Sequence, residues 1–398
     1  MVEKLAIDGG ARSISEAPDS YQWVNEETIS LVSDLLRSQK LSGFLGQSGS
    51  QYLGGEWVQL LEEEVCKFGD HHFAIAFNSW TSGLDAIFLA LDLPLHAEVI
   101  VPTWTMSATI SAIVNAGLTP VFADIDATTF TISISDVRNK ISSKTSAICA
   151  VDLFGKPADL VSLREIASIH SLKLVTDSAQ CPGGRISGVG PSKIADIGGY
   201  SLNRHKHIQS GEGGIVVTDN PGYAERLRAI RNHGEVAAPD VTFSEKAIYG
   251  HNWRLGELEA LIAYQQYLDA ERIIRDRRVV GMRLIDLLKD IEGLQVPDYE
   301  EEHDYYILGM VLSDSYNRDF IASALKHEGI TNLITNYSGL ERLPAFKPYA
   351  RGELLSSSYL NDISFLGLYL AGHSYTETNL TEIASGFRKV FADGRAKR

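Results

Sequence analysis

The stretch FAIAFNSWTSGLDAIFLALDLPLHAEVIVP, residues 73–102, decides the fold that we predict for this chain. Its two ends, FAIAF (73–77) and EVIVP (98–102), are short apolar runs of the kind that form buried strands. The segment between them begins with Thr81 and Ser82, which favour helix N-termini, and predicts a helix over 81–93. Strand, helix and strand in this order and length are typical of a crossover unit that joins parallel strands.

The residues that follow repeat this alternation of strands and helices. Strands are predicted over 119–125, 146–153, 172–178 and 213–219, with helices over 107–117 and about 158–170. The sequence therefore predicts an α/β fold whose large domain holds a mostly parallel sheet covered by helices. Ligands of such sheets bind outside the carboxyl ends of the strands, so polar residues that follow strands are the candidates for chemistry.

The two ends of the chain differ from this central pattern. Roughly the first fifty residues are predicted to be irregular, because Gly and Ser cluster there. A single amphipathic helix is predicted to run from residue 257 to about residue 289. A strand over 306–312 and helices over 319–329 and 380–391 then predict a smaller α+β C-terminal domain. We place the domain boundary within the long helix, with a large domain of residues 1–270 and a small one of 271–398.

Composition and charge disfavour several classes of function. The net charge is −15, from 51 acidic and 36 basic residues, whereas nucleic-acid binders neutralise phosphates with Lys and Arg. No apolar stretch reaches the roughly 18 residues of a membrane span, and the N-terminus lacks the apolar core of a signal peptide. Cys66, Cys149 and Cys181 show no paired spacing, so neither a metal site nor a disulfide is expected. We expect a cytoplasmic protein with no nucleic-acid or membrane partner.

Three polar features follow predicted strands, and each has a plain structural explanation when taken alone. Asp177 ends the apolar run LKLVT, where an acid is either a helix cap or a ligand group. Lys206 lies in SLNRHKHIQSGEGG (201–214), and a single lysine is usually a solvated surface residue. Thr81 and Ser82 open a helix, where free backbone N–H groups and the helix dipole form a phosphate seat, although N-capping explains them equally well.

Taken together, the three features predict a binding site for pyridoxal 5'-phosphate. A lysine forms a Schiff base with this cofactor, a carboxylate keeps its pyridine nitrogen protonated, and a helix N-terminus holds its phosphate. A single crevice at the carboxyl ends of the strands would bring Lys206, Asp177 and the helix start together.

The chain resembles the DegT/StrS-type sugar aminotransferases, a branch of the fold-type-I pyridoxal-phosphate enzymes. The acid of DSAQ (177–180) stands 29 residues before Lys206, as the pattern of that family leads one to expect. The resemblance runs through most of the chain and is strongest between residues 77 and 263. It rests on NSWTSGLDA (78–86), VPTWTMSAT (101–109), AGLTPVFADID (116–126), DLFGKPAD (152–159), DSAQ, SLNRHKHIQSGEGG and HNWRLGELEA (251–260).

The resemblance implies roles for individual residues. Lys206 matches the Schiff-base lysine that also moves the proton, and Asp177 matches the acid that pairs with the pyridine nitrogen. Gln180 matches the residue at the phenolic oxygen of the cofactor. The residues that match phosphate ligands are Thr81, Ser82, Ser201 and Asn252. The family contributes the last of these from the neighbouring subunit, so the resemblance implies a homodimer with a shared active site.

Two positions depart from the family pattern. The family usually has a small residue where this chain has Trp80, which we still assign to the cofactor site, and an aromatic stacking residue where it has Met106. Trp104 is a candidate for stacking on the cofactor instead, with a plain core position as the alternative. A sulfur–ring contact from Met106 is the other possibility.

The histidines beside the lysine bear on the type of reaction, because one branch of the family replaces the lysine by His and is a dehydratase. Here His205 and His207 flank Lys206. Lys206 stands five residues after Ser201 and five before Gly211, so the lysine matches the catalytic position. The two histidines are expected to line the substrate or cofactor pocket, or to pack.

The resemblance implies a ping-pong transamination in which glutamate or glutamine supplies the amino group of an amino-sugar. A nucleotide-linked keto-sugar is the first acceptor to consider, and a keto-cyclitol or related carbocycle is the second, because LAIDGG (5–10) resembles members that act on such rings. Substrate contacts are expected near Asn336, Tyr337 and Arg342. A pyridoxal-phosphate-dependent sugar dehydratase and a non-catalytic cofactor-binding protein are the remaining alternatives.

Overall fold

The computed structural model describes residues 3–46, 49–235, 248–335 and 337–398. The strands in these ranges are β1 (Asp19–Ser20), β2 (Phe73–Phe77), β3 (Glu98–Pro102), β4 (Thr119–Ala123), β5 (Thr145–Val151), β6 (Lys173–Asp177), β7 (Ile197–Ser201), β8 (Gly214–Thr218), β9 (Leu294–Gln295), β10 (Ile307–Leu312), β11 (Leu333–Ile334), β12 (Phe365–Tyr369) and β13 (His373–Ser374). The α-helices are α1 (Glu26–Ser38), α2 (Glu56–Gly69), α3 (Trp80–Ala90), α4 (Ser107–Asn115), α5 (Ile134–Lys140), α6 (Leu160–His170), α7 (Pro191–Ile194), α8 (Pro221–Arg231), α9 (Glu257–Tyr267), α10 (Ala270–Leu288), α11 (Arg318–His327), α12 (Leu355–Tyr359) and α13 (Glu377–Phe391).

A seven-stranded sheet forms the centre of the large domain, in the strand order β2-β8-β7-β6-β5-β3-β4. Neighbouring strands are parallel except where β8 pairs with β2 and β7, so β8 alone runs against the other six strands of this sheet. The predicted mostly parallel sheet is confirmed. Because β5, β6 and β7 share one direction, their carboxyl ends meet at the same edge, and β8 begins at that edge opposite the end of β7.

Apolar side chains cover both faces of this sheet, as the alternation along its strands requires. On one face, Ile75, Val99 and Val175 pack against α3, α4 and α8. On the other face, Ala74 and Val217 lie under α2 and α9, and the far end of the sheet packs under α5 and α6. The helices on both faces hold the strand ends in place, and the strand ends carry the polar residues of interest.

A four-stranded antiparallel sheet, in the order β11-β12-β10-β9, packs with α10, α11 and α13 in the smaller domain. This arrangement confirms the predicted α+β C-terminal part. Leu5 and Ile14 from the start of the chain lie in the same apolar cluster. Glu328 also accepts hydrogen bonds from the backbone N–H groups of Ala6 (2.7 Å) and Ser13 (3.0 Å). We therefore propose that residues 5–14 belong to the smaller domain, while the boundary after residue 270 stays a prediction.

Three elements differ from the prediction. The start of the chain, predicted to be irregular, contains the helix α1. Its N-cap Asn25 accepts a hydrogen bond from the backbone N–H of Thr28 (2.8 Å), and only Thr28 and Leu35 of this helix are buried. The single helix over 257–289 is two helices, because the chain leaves helical geometry at Asp269 (φ −118°, ψ 13°). Strand β7 escaped prediction because its sequence, IGGYS, contains two glycines, which are rare in strands.

The described residues contain no helix that is both long and apolar enough to cross a membrane. Within the same ranges, no group of three or more His, Cys, Asp or Glu side chains is placed to hold a metal ion. The three cysteines are free thiols.

Candidate active site

A cavity of about 420 Å³ lies at the carboxyl ends of the parallel strands. Asp177 ends β6, Ser201 ends β7, and the first turn of α3 follows β2 after two residues. The predicted site residues that line the cavity are Lys206, Asp177, Gln180, Trp80, Thr81, Ser201, Met106, His205 and Tyr337. The residues that the sequence singled out separately thus share one space.

The loop between β7 and β8 carries Lys206 into the cavity. Hydrogen bonds close the base of this loop, because Leu202 N donates to Gly213 O (2.9 Å) and Arg204 N donates to Gly211 O (3.0 Å). Gly211 has a φ of +89°, a conformation that glycine adopts without strain. The closed base fixes the direction in which the lysine leaves the sheet.

The Lys206 amine lies in a partly buried environment between the two domains. Its Nζ is 4.7 Å from the centroid of the Tyr306 ring. Tyr306 immediately precedes β10 of the smaller domain. Burial lowers the pKa of Lys206 to about 8, although the negative charge of Asp177 opposes this shift. About a tenth of this amine is therefore neutral at pH 7, far more than for an ordinary lysine, and the neutral form is the one that acts as a nucleophile or a general base.

Asp177 presents a buried carboxylate, only 4 % exposed, to the same cavity. Its Oδ1 accepts hydrogen bonds from Trp80 Nε1 (2.8 Å) and from the backbone N–H of Ala179 (3.2 Å). Its Oδ2 accepts a hydrogen bond from Thr109 Oγ1 (2.8 Å). Burial raises the pKa of Asp177, and the hydrogen bonds from Thr109 and Trp80 and the charge of Lys206 oppose that rise. A cationic partner in the cavity would complete the stabilisation of this carboxylate.

The N-terminus of α3 opens at one end of the cavity. Ser79 is its N-cap, with Oγ accepting a hydrogen bond from the backbone N–H of Ser82 (3.0 Å). The N–H groups of Trp80 and Thr81 belong to the first turn and have no acceptor within the helix. Together with the hydroxyl groups of Thr81 and Ser201, which line the cavity, they form a site suited to a phosphate group.

Gln180 and Tyr337 form another part of the wall. Gln180 Oε1 accepts a hydrogen bond from the backbone N–H of Phe154 (2.7 Å), which fixes its amide, and the Tyr337 hydroxyl is hydrogen-bonded to the same side chain. Tyr306 and Ile307 of the smaller domain complete this side. The cavity is thus closed by residues from both domains.

The structure separates the two stacking candidates. Trp104 is fully buried and is not among the lining residues, because its indole packs against the rings of Phe130, Phe154, Tyr337 and Phe365. Its assignment to the cofactor site is therefore corrected to a core position behind Tyr337. Met106 lines the cavity and is 65 % exposed, so it is the residue placed to contact a ring there.

The two histidines occupy different environments. His207 is fully buried and its Nε2 lies 2.9 Å from the carbonyl oxygen of Asp304, to which it donates; burial lowers the pKa of His207 to about 4. This buried contact is the physical reason why the predicted pocket role of His207 is corrected to packing. His205 is exposed and lines the cavity, where burial and the neighbouring Arg204 lower its pKa. Lys206 presents the amine, as the sequence spacing predicts.

Four further candidates lie outside the lining residues or outside the described ranges. The Ser82 side chain hydrogen-bonds Asn78 and Ser79 within the cap of α3 and is not among the lining residues, so its contact with a phosphate stays a prediction. Asn252 is exposed and accepts a hydrogen bond from Arg254 Nε (2.8 Å), away from the cavity of its own chain. The remaining two are Arg342, which pairs with Asp362 (2.7 Å), and Asn336, which lies outside the described residues.

Sequence reasoning missed two residues of the site. Thr109 hydrogen-bonds both Asp177 and Thr105 Oγ1 (2.8 Å). Its position one turn after Thr105, at the start of a predicted helix, could have indicated that the two threonines act together. The Tyr306 ring lies under the Lys206 amine. Tyr306 stands 100 positions after Lys206 at the start of a predicted strand, and nothing in the sequence indicated that the two residues meet. Both residues act on groups that the sequence did identify.

The cavity brings together the groups that pyridoxal phosphate requires. An amine of lowered pKa, a buried carboxylate with room for a cationic partner, and a helix N-terminus with two hydroxyl groups line one space. A cofactor with an aldehyde, a basic ring nitrogen and a phosphate matches this set of donors and acceptors. The residues present therefore fit the cofactor.

The chain is similar to several known proteins. GDP-perosamine synthase from Vibrio cholerae is 28 % identical over 74 % of this chain and 77 % of that protein. UDP-N-acetyl-3-dehydro-alpha-D-glucosamine 3-aminotransferase from Acidithiobacillus ferrooxidans is 30 % identical over 75 % and 80 %. The structure of DesI, solved in the presence of its TDP-sugar product, superposes with a TM-score of 0.85 at 27 % identity, covering 99 % of this chain and 98 % of that one. The sequence model of one family matches residues 39–371. The chain therefore belongs to the DegT/DnrJ/EryC1/StrS aminotransferase family.

Proposed function

We propose that this chain is a pyridoxal-phosphate-dependent aminotransferase that moves an amino group from glutamate or glutamine to the keto-sugar unit of a nucleotide-linked substrate.

 The observation that carries the proposal is the joint position of Lys206 and Asp177 in one cavity beside the N-terminus of α3. The relatives named above support the sugar as acceptor, because their names state amino-sugar chemistry.

In this proposal each residue has a defined task. The bound cofactor supplies an aldehyde that condenses with amines and a ring that withdraws electrons from the carbon next to the nitrogen. Lys206 Nζ holds the cofactor, and as the free amine it removes the proton from the amino-bearing carbon of the donor and delivers a proton to the carbon that gains the amino group. Asp177 holds a proton on the ring nitrogen, and the helix start with Thr81 and Ser201 holds the phosphate.

The proposed reaction is tested by identifying the product. The purified protein is incubated with pyridoxal phosphate, with glutamate or glutamine, and with a panel of nucleotide-linked keto-sugars and keto-cyclitols, and each product is identified by mass spectrometry. An amino-sugar formed together with the keto acid of the donor is the expected result. A deoxy-keto sugar would instead indicate a dehydratase, and the absence of any product or bound cofactor would contradict an enzyme of this class.

A keto-cyclitol is the second acceptor that we propose, and one observation favours it. The basic side chains among the described residues that line the cavity are Lys206 and His205, so the described part of the chain places no arginine there to bind a diphosphate. The panel of keto-sugars and keto-cyclitols described above distinguishes the two acceptor classes. Amination of the free ring alone would select the cyclitol, and amination of the nucleotide-linked sugar alone would select the first proposal.

The lowered pKa of Lys206 predicts how the cofactor-free protein reacts with pyridoxal phosphate. The rate of attachment should rise with pH and level off above a midpoint at about 8, because only the neutral amine attacks the aldehyde. The measurement is the growth of visible absorbance after mixing, between about pH 6 and about pH 11, a range that brackets both the shifted pKa of about 8 and the ordinary value of about 10.4. In Asp177→Asn the midpoint should fall, because the carboxylate favours the charged amine. A wild-type midpoint near the ordinary lysine value of about 10.4 would contradict the prediction.

We also propose that the protein is a homodimer whose partner subunit supplies Asn252 to each phosphate site. Asn252 is exposed and lies away from the cavity of its own chain, and Ile29 and Leu36 on α1 are exposed apolar residues suited to an interface. A mixture of Lys206→Ala and Asn252→Ala chains tests the shared site. In a mixed dimer one site carries both substitutions and the other carries neither.

The mixed sample should therefore recover about a quarter of the wild-type activity after the chains are allowed to exchange, although each variant alone is nearly inactive. The measurement is amino-product formation before and after exchange. Mixing two samples of the same variant is the control. Recovery no greater than in that control, in a protein that is dimeric by light scattering, would contradict a shared site.

A further inference from the structure

The indole of Trp80 reaches from the start of α3 to the carboxylate of Asp177, 97 positions further along the chain. Its Nε1 donates to Asp177 Oδ1 at 2.8 Å, and the side chain is only 7 % exposed. The first residue of a helix commonly points to solvent, but here the side chain belongs to the apolar cluster between the sheet and its helices. Trp80 therefore joins the two elements that carry the proposed phosphate and ring-nitrogen contacts.

Two glycines leave the space that this indole fills. A Cβ atom at Gly199 of β7 would lie 2.7 Å from Cζ3 of Trp80, and it would also meet the carbonyl of Ile215. A Cβ atom at Gly83, one turn along α3, would lie 3.2 Å from Cε3 of Trp80. The indole is thus seated below the cavity between helix and sheet, with its N–H directed at Asp177.

The hydrogen bonds of Asp177 show what this contact does. A carboxylate has about four acceptor sites. Three of them are occupied in this structure, by Trp80 Nε1 and Ala179 N on Oδ1 and by Thr109 Oγ1 on Oδ2. Donors on both oxygens fix the plane of the carboxylate and favour its ionised form, which burial disfavours. One acceptor site stays available for a group in the cavity.

We infer that Trp80 is a positioning residue, whose indole N–H holds the Asp177 carboxylate ionised and in the orientation that pairs with a protonated ring nitrogen in the cavity. The inference rests on the proposed function and adds to it a residue that acts through Asp177. It also gives a role to the bulky residue at a position where the resembling family usually has a small one.

Trp80→Phe tests the inference, because it keeps an aromatic ring in the same space and removes the N–H donor. The expected result is a dissociation constant for pyridoxal phosphate that rises about 10-fold or more, as loss of one hydrogen bond to a charged group predicts. The acid side of the pH titration of the bound-cofactor absorbance should also move to higher pH, because Asp177 then takes up a proton more readily. Far-UV circular dichroism and the thermal midpoint check that the variant is folded.

Trp57→Phe is the matched control. Trp57 is a half-buried indole that packs against Tyr264 on the other side of the sheet, so this variant loses an indole N–H with no effect on Asp177. It should retain the wild-type dissociation constant and pH titration. A folded Trp80→Phe protein that binds the cofactor as tightly as Trp57→Phe, with the same acid midpoint, would overturn the inference while leaving the proposed function intact. Wild-type protein that binds no cofactor would instead overturn the proposed function.

A second measurement serves if Trp80→Phe does not fold. In cofactor-free protein with ¹⁵N-labelled tryptophan, the Asp177→Asn substitution should shift one indole N–H resonance strongly, because the charged acceptor of that N–H is lost. Asp319→Asn, which changes an exposed carboxylate on α11 of the smaller domain, is the matched control and should leave the indole resonances in place. Indole spectra that are the same for wild type and Asp177→Asn would overturn the inference.

Discussion

Replacing Lys206 by alanine is expected to lower the rate of amino-group transfer by at least about 10³-fold and to remove the visible absorbance of the bound cofactor. The physical reason is that, in the proposed function, this side chain supplies both the covalent anchor and the proton-transferring amine, and the other lysines of the described ranges do not line the cavity. The measurements are product formation and the absorption spectrum of the purified protein incubated with pyridoxal phosphate.

Two variants serve as controls for this prediction. Lys206→Arg keeps a positive charge at the same place but cannot form the covalent bond, so it should be as inactive as the alanine variant. Lys173→Ala, at the start of β6 on the opposite end of the strand from Asp177, should keep the wild-type spectrum. A Lys206→Ala protein that retains both the visible absorbance and the activity would contradict the assignment.

Replacing Asp177 by asparagine is expected to lower the rate of transfer by about 100-fold or more. Loss of one partner of a buried charge pair costs roughly 2–5 kcal/mol, and each 1.4 kcal/mol corresponds to a factor of ten. The amide keeps the shape of the side chain but lacks the charge that holds a proton on the ring nitrogen. Visible absorbance should persist, because Lys206 is intact, and this separates the effect from that of Lys206→Ala.

The conservative variant Asp177→Glu is the companion measurement. It retains the charge but displaces it, so its rate should lie between those of wild type and Asp177→Asn. The measurement is kcat with saturating donor and acceptor, together with cofactor binding. An Asp177→Asn enzyme with wild-type kcat would show that the carboxylate plays no part in the reaction.

Much of the fold followed from local sequence patterns, and the exceptions have identifiable causes. The strands at 73–77 and 98–102 have the predicted bounds, because apolar β-branched or small residues are enclosed there by polar turns. Strand β7 carries two glycines and was missed, although it lies between β6 and β8 at the centre of the sheet. This segment forms a strand because it pairs with β6 on one side and β8 on the other, and the periodicity of its own sequence does not show that pairing.

The site shows the same division between local and distant information. The spacing of Asp177 and Lys206 was visible in the sequence, and both residues line the cavity. The contacts that tune them were not visible, because the Trp80–Asp177 and Thr109–Asp177 hydrogen bonds join residues 97 and 68 positions apart. Trp104 was predicted to contact the cofactor because it lies near the site residues in the sequence. The structure instead places its indole among four aromatic rings in the core.

The central claim is that Lys206 is the covalent attachment point of pyridoxal phosphate. Borohydride reduction of the cofactor-loaded protein makes the attachment permanent, and proteolysis with mass spectrometry then locates the modified residue. We expect the added mass on Lys206, in the peptide that connects β7 with β8. Attachment at a different lysine, or full-length protein that carries no added mass after loading and reduction, would contradict it.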